Sequence, residues 1–337
     1  MACEVSAKAF LKLGQKLKEM PESQLKWLCA EASARNSWFI EPHVKAAVEG
    51  IIHMLEPNTF IEWINRYPQT VQQPKTVGVI MAGNIPLAGF HDFLCVLVSG
   101  HRIAAKLSSQ DNFLLPQLAK MLFEIEPELA QRVEWAEQLK GVDAIIATGS
   151  NNTARYFEYY FGKYPHIIRR NRVSAAVLEG NETSQELADL AKDALLYFGM
   201  GCRSIAKLLV PEGYDLKAFL HQTEQLADLV DSHKYRNNYD YHKSIFLVNR
   251  RPHLDSGVLL LTEDEAFASP VSVVYYQTYR NLDQVAELLK VHADQLQCVA
   301  ARNQHLFSRT VSFGQAQRPT VADYADGKDT MEFLLQL

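Results

Sequence analysis

From residue 76 onward, short apolar runs alternate with stretches of helical period, and that alternation leaves few architectures open. Thr76-Val77-Gly78-Val79-Ile80-Met81-Ala82 reads as a buried strand. Gly83-Asn84-Ile85-Pro86 reads as a loop, Leu87 to Ser99 as a helix closed by Gly100, and Ile103-Ala104-Ala105-Lys106-Leu107 as the next strand. A fully apolar strand must be covered on both faces, so two such strands joined by a helix make one βαβ unit of a parallel sheet. A helix from Leu114 to Glu124, a strand Val142–Thr148 and a helix from about Asn152 continue the pattern. The expected fold class is α/β with a doubly wound sheet.

A second α/β unit follows. Its expected strands are Val173–Leu178, Ala206–Val210, Ser244–Val248, Val273–Tyr276 and Gln297–Ala301. Its expected helices are Thr183–Phe198, Leu216–Leu229 and Leu282–Ala293. Ahead of both units, residues 7–66 read as helices broken at Pro21-Glu22-Ser23 and Asn36-Ser37. Their apolar stripes (Phe10, Leu13 and Leu17, then Val44, Ala47, Val48 and Ile51) read as core. The domains expected are 1–172, a helical N-terminal segment with a cofactor-binding domain, then 173–312, a catalytic domain, and a tail over 313–337. The tail ends on Met331-Glu332-Phe333-Leu334-Leu335, which could add a strand or helix to a neighbouring subunit.

With 47% hydrophobic and 22% charged residues and a net charge of −5, the chain suits an ordinary soluble protein and no nucleic-acid partner is expected. No signal peptide or membrane span is read, and a cytoplasmic setting is expected. The five cysteines are odd in number and form no CxxC, and the scattered histidines form no HxxxH pair, so neither a disulfide framework nor a metal site is expected.

Four features could carry chemistry. Cys202 follows the glycine-rich break Gly199-Met200-Gly201, where helical periodicity stops, a placement that can present a thiol to a cleft. The competing reading is a buried structural cysteine. Asn84, in a strand-to-helix loop, can donate to a developing oxyanion or merely cap a turn. Thr148-Gly149-Ser150 joins a strand to a helix, where backbone N–H groups can approach a phosphate or simply cap the helix. Lys106-Leu107-Ser108-Ser109 ends a strand at the edge where an open α/β sheet binds nucleotides, although Lys106 alone could be a solvated lysine.

In order and spacing these features resemble the aldehyde dehydrogenase superfamily, and within it the LuxC-type fatty acyl-CoA reductases. The superfamily's tryptophan-asparagine-x-proline loop matches Gly83-Asn84-Ile85-Pro86, and its lysine-proline-serine-glutamate strand end matches Lys106-Leu107-Ser108-Ser109. Its threonine-glycine-serine turn is intact at Thr148-Gly149-Ser150, and its nucleophile loop matches Gly199-Met200-Gly201-Cys202. Glu265-Ala266-Phe267, with Pro270, is similar to its later glutamate-x-phenylalanine motif with one residue inserted. The resemblance covers about residues 76 to 315 and implies an aldehyde-dehydrogenase-like fold: a Rossmann-like cofactor domain, a catalytic domain, and an active site in the cleft between them.

The resemblance also implies roles. The Cys202 thiolate attacks an acyl thioester, Asn84 and the Cys202 backbone N–H hold the oxyanion, and CoA leaves. NADPH, with NADH as the alternative, is held by Lys106, Ser108, Ser109, Thr148, Gly149, Ser150 and Glu265 and delivers hydride to release an aldehyde. Aldehyde-oxidising members carry a glutamate about 35 residues before the cysteine, which activates water; here Ile168-Arg169-Arg170-Asn171-Arg172 has no carboxylate. That departure favours reduction of a fatty acyl-CoA over oxidation of an aldehyde, and Arg169, Arg170 and Arg172 are candidates to meet CoA phosphates. Ser109 stands where NAD-preferring members often have glutamate, which makes room for a 2′-phosphate. An acyl-phosphate reductase or an aldehyde dehydrogenase of the same fold, and an inactive acyl-carrying or scaffold protein, are the alternatives. Expected partners are an acyl-CoA or other acyl thioester, an acyltransferase or acyl carrier, and a second copy of the chain in a homo-oligomer. No segment before Thr76 reads as the superfamily's projecting oligomerisation hairpin.

Overall fold

The computed structural model describes residues 2–68, 71 and 73–337. The chain divides into two compact units: residues up to Asn171 together with Pro319–Leu337, and Arg172–Arg318.

The first unit opens on four helices, α1 (Ala2–Lys18), α2 (Glu22–Arg35), α3 (Glu41–Met54) and α4 (Pro57–Ile64). The apolar stripe of α1 is core: Phe10, Leu13 and Leu17 are buried, and Phe10 packs edge-on against Phe90 and Phe93. Strands and helices then alternate as β1 (Thr76–Ile80), α5 (Phe90–Ser99), β2 (Arg102–Lys106), α6 (Leu114–Ile125), β3 (Val133–Trp135), β4 (Ala144–Thr148), α7 (Asn151–Phe161) and β5 (His166–Arg169). All five strands are parallel, in the order β3-β2-β1-β4-β5. Strand order reverses at β1, so the gap between the loops after β1 and β4 is the topological switch point of the sheet. The helix expected from Leu87 starts only at Phe90, because Leu87 adopts a left-handed conformation with φ of 60° that a helix cannot contain.

The second unit contains β6 (Val173–Val177), α8 (Ser184–Leu195), β7 (Ile205–Pro211), α9 (Lys217–Glu224), α10 (His233–Val248), β8 (Leu254–Asp255), β9 (Leu260–Glu263), β10 (Val273–Tyr279), α11 (Leu282–Val291), β11 (Leu296–Ala300) and β12 (Thr310–Val311). They form one sheet in the order β12-β11-β6-β7-β10-β9-β8, parallel except for β8 against β9. The strand expected at Ser244–Val248 is instead the last turn and a half of α10. A four-residue apolar run (Ile245–Val248) carries no period of its own, and here Phe246 is buried on the same helical face as Tyr239 while Leu247 and Val248 face solvent. The Ser244 hydroxyl donates to the Asp240 carbonyl one turn back.

Pro319–Leu337 belongs to the first unit, where its final helix α12 (Thr330–Leu335) packs on α5. Its polar groups have specific partners there. Trp63 Nε1 donates to Tyr324 Oη at 2.7 Å, Tyr67 Oη donates to Asp329 at 2.5 Å, and His101 Nε2 lies 2.8 Å from the Leu334 carbonyl. At the centre, the buried Arg169 guanidinium grips both oxygens of Asp92 on α5, at 2.6 and 2.9 Å, and donates to Thr330 Oγ1 at 2.9 Å. Among the described residues, no helix is long and apolar enough to cross a membrane.

Removing one partner of a buried ion pair leaves the other charge stranded in a poorly solvated interior. Arg169→Met should therefore lower the unfolding free energy by about 3–5 kcal/mol in urea denaturation, with Asp92→Leu in addition restoring much of it. A loss below ~1 kcal/mol in the single variant would contradict this role.

Candidate active site

The first-unit candidates gather on one edge of one sheet. Asn84 is exposed in the loop after β1; Lys106 ends β2, with Ser108 and Ser109 just beyond; Thr148 ends β4, and Gly149 and Ser150 follow. These are the carboxyl ends of three adjacent parallel strands, flanking the switch point. Gly83 is required for the loops to meet: a β-carbon there would lie 2.5 Å from Ser108 Cβ and 3.0 Å from the Asp111 nitrogen. Asp111 is buried and fastens the loops. Its Oδ2 accepts from the Leu87 N–H at 2.8 Å and its Oδ1 from Leu114 N–H, at the start of α6, at 3.2 Å. Burial pushes its carboxyl pKa up, while these backbone donors act against the shift. Asp111 was not singled out from sequence; an aspartate three residues ahead of a helix was the available signal.

Ser150 is the N-cap of α7, its Oγ accepting from Thr153 N–H at 3.2 Å, so the capping reading of this residue holds. The exposed Lys106, Ser109, Ser150 and Asn84 thus all stand at the carboxyl edge of the sheet beside its switch point, the edge at which open α/β sheets generally bind ligands.

In the second unit, Cys202 follows a backbone reversal. Helix α8 begins with a capping box between Thr183 and Glu186 and ends at Leu195. Tyr197 (φ 57°), Phe198 (φ 59°) and Gly199 (φ 73°) then take the left-handed region in succession. Such a conformation costs about 1–2 kcal/mol for each non-glycine residue. Burial of both aromatic rings offsets it, with Phe198 stacked on Tyr235 at 5.5 Å between centroids. A tight turn follows, in which Ser204 N–H donates to the Gly201 carbonyl at 3.0 Å and Gly201 N–H to Ser204 Oγ at 3.2 Å. Cys202 sits in that turn and is exposed, which separates it from the buried Cys29, Cys95 and Cys298.

Neutral groups hold the turn from behind. The buried Ser174 hydroxyl donates to the Cys202 carbonyl at 3.0 Å and accepts from Cys298 N–H at 3.2 Å. Gln317 Nε2 donates to Ser204 Oγ at 3.0 Å and to the Asp193 carbonyl at 3.1 Å. Asp193, buried on α8, accepts from Gly314 N–H at 2.7 Å. Burial raises its pKa to about 7 despite backbone donors from Gly314, Ala316 and Gln317.

Glu265 is exposed in the segment Asp264–Ser272, which joins β9 to its parallel neighbour β10. Phe267 is buried, its ring against His292 at 4.6 Å. The same segment reaches the stretch before Cys202: Ser269 and Pro270 line a small cavity with Phe198 and Gly199.

Two of the three arginines proposed to meet CoA phosphates are turned inward. Arg169 is buried against Asp92, and Arg172 donates to the Ala293 and Leu296 carbonyls at 3.3 and 2.9 Å. Only Arg170 is exposed, and it pairs with Glu158 at 2.6 Å. Two guanidiniums are thus committed to internal acceptors, an arrangement that sequence cannot distinguish from a free basic cluster. Among the described residues no group of three histidines, cysteines or carboxylates could hold a metal ion.

Residues 38–313 match the family model described as acyl-CoA reductase (LuxC). The chain belongs to this family. It is 24% identical over 233 residues to a long-chain acyl-protein thioester reductase of Aliivibrio fischeri, a match covering 62% of this chain and 46% of that protein. The chain thus spans about half the length of that curated relative. Among solved structures it is similar to aldehyde dehydrogenase 21 of Physcomitrella patens (TM-score 0.68, 11% identity, 100% of this chain and 84% of that one). It is also similar to an aldehyde dehydrogenase of Bacillus cereus in its NAD+ complex (TM-score 0.61, 14% identity, 90% and 72%). This LuxC-family chain therefore has the aldehyde dehydrogenase fold.

Because Asp193 is neutral when buried and titrates near 7, the folded state binds a proton between about pH 4 and 7 that the unfolded state releases. Its contribution to stability is full below about pH 4 and is lost as pH rises through 7. Urea unfolding across this range should show Asp193→Asn losing less stability with rising pH than wild type, by on the order of a few kcal/mol. Parallel profiles for the two proteins would contradict the assignment.

Proposed function

We propose that this chain reduces an acyl thioester to an aldehyde through a thioacyl-enzyme on Cys202. The observation that carries the reading is the exposed Cys202 of a LuxC-family chain, in a tightly supported turn that follows a strained backbone reversal. Cys202 as thiolate attacks the carbonyl carbon, and a negative charge develops on oxygen. The Asn84 side chain and the Cys202 backbone N–H donate to that oxygen. Collapse breaks the bond to the donor thiol and leaves the acyl group on sulfur. A reduced nicotinamide cofactor, when bound, supplies the hydride for the second half. Lys106, Ser108, Ser109, Thr148, Gly149, Ser150 and Glu265 would hold it, and the absence of a carboxylate at Ser109 favours NADPH over NADH. Cys202 finally leaves as thiolate and the aldehyde is released; a thiolate serves as both good nucleophile and good leaving group.

Reduction is favoured over oxidation by the residues after β5. Hydrolysis of a thioester needs an activated water, and Arg170 and Asn171 supply no general base there. The acyl donor in this reading is a fatty acyl-CoA. The A. fischeri relative is named for an acyl-protein substrate, which makes an acylated protein the second donor to test.

The test incubates the protein with acyl-CoAs of graded chain length, or an acylated carrier protein, and NADPH or NADH, following cofactor absorbance and aldehyde. Without cofactor, the intact mass should rise by one acyl group, and Cys202→Ala should abolish both the adduct and turnover. Turnover retained in Cys202→Ala would overturn the mechanism. Preference for acyl phosphate, or reduction of NAD(P)+ by free aldehyde alone, would move the chain to another reaction of the same fold.

A further inference from the structure

The connection from β9 to β10 is unusual for parallel neighbours. Such strands are generally joined by a dozen or more residues that include a helix, whereas here Asp264–Ser272 crosses the sheet with no helix. A helix satisfies its own carbonyls; an irregular crossover laid over a sheet leaves buried carbonyls that need donors from elsewhere. One comes from an unexpected residue. Lys207 lies in the middle of β7, level with Tyr275 of β10 and Ala175 of β6, and is fully buried. Its ammonium donates to the Asp264 carbonyl and stands 5.6 Å from the centroid of the Phe267 ring. Glu265 lies between these two anchors. Asp264 is held from its other side by Arg251, which donates to its carboxylate at 2.6 Å and to the Glu263 carbonyl at 3.1 Å.

A lysine is costly here. Burial lowers its pKa to about 8, against the attraction of Asp264, Glu265 and Glu263. An apolar residue at this position would continue the core formed by Leu209, Val177 and Phe267. We infer that Lys207 is a positioning residue: its ammonium pins the helix-free crossover that carries Glu265, and thereby sets affinity for the nicotinamide cofactor. The inference rests on the reading of Glu265 as a cofactor-binding residue. It separates Lys207 from the acylation half-reaction, which depends on the Cys202 turn.

The test uses Lys207→Met, which keeps an unbranched apolar stem as far as the ε position and loses the terminal donor. Titration of NADPH fluorescence and KM for NADPH should show weakening on the order of tenfold, the size of one hydrogen bond from a charged donor. Acyl transfer from acyl-CoA to Cys202, read as thiol released in a single turnover, should stay within about twofold. In a Glu265→Gln background, Lys207→Met should add little further loss. Equal loss in acyl transfer would show a general packing role and overturn the inference, as would unchanged cofactor affinity. Should Lys207→Met not fold, hydrogen exchange on the wild type decides: slow exchange at the 265–268 amides supports a pinned crossover, and fast exchange overturns it. A wild type that binds no reduced cofactor removes the functional reading itself; one that binds it equally with and without the Lys207 amine removes only this inference.

Discussion

The Arg169–Asp92 ion pair is the contact on which the first unit most depends. A guanidinium buried this deeply is tolerable only if its charge is paired, and here both terminal nitrogens bond to Asp92 while Nε is left without a partner. Arg169 ends β5, Asp92 lies in the first turn of α5, and Thr330 opens α12, so one side chain joins the sheet edge, the helix after the Asn84 loop and the C-terminal segment. Arg169 also accepts Gly149 N–H at its carbonyl and approaches Thr148 Oγ1 at 3.5 Å. The end of β5 is thus built as an anchor. Its neighbours Arg170 and Asn171 have no acidic oxygen to offer.

The α/β alternation was legible because the central strands are covered on both faces. Val77, Val79, Ile103, Ala105, Ile145 and Ile146 are all buried, and a doubly covered strand has to be apolar throughout. Edge strands escape this rule. In β3 both Glu134 and Trp135 are exposed, and β5 opens on an exposed histidine, so neither shows an apolar run. The C-terminal segment misled for the opposite reason. Met331 and Leu334 looked like a sticky end, but they are buried on α5 within the same chain, a pairing set by contacts more than 200 residues apart in sequence.

Site residues divide in the same way. Asn84, Lys106, Thr148-Gly149-Ser150 and Cys202 each stand where a regular period breaks, so local pattern marks them. The groups that hold them do not. Ser174, Asp193, Gln317 and Lys207 sit inside elements or long connections that read as ordinary sequence. Each acquires its role from a partner distant in the chain: Ser174 from Cys202, Asp193 from Gly314, Lys207 from Asp264. Sequence order records loops that present a group more readily than it records the buried donors that aim it.

Backbone strain connects the three segments that carry the proposed chemistry. Among the described residues, six that are not glycine have left-handed φ, and four of them fall in these segments. Leu87 lies in the Asn84 loop, Tyr197 and Phe198 precede Cys202, and Ser272 ends the crossover that carries Glu265. Such conformations persist only where surrounding contacts over-determine them. Asp111 holds the Leu87 N–H, Tyr235 stacks on Phe198, and the Ser272 carbonyl accepts from Leu260 N–H at 2.9 Å. Phe198 and Ser272 line the same small cavity, yet the two segments are held by different anchors. Ser174 and Gln317 hold the Cys202 turn, whereas Lys207 and Arg251 hold the crossover that carries Glu265. Strain at each segment is thus sustained by its own buried donors, so one can be loosened while the other keeps its geometry.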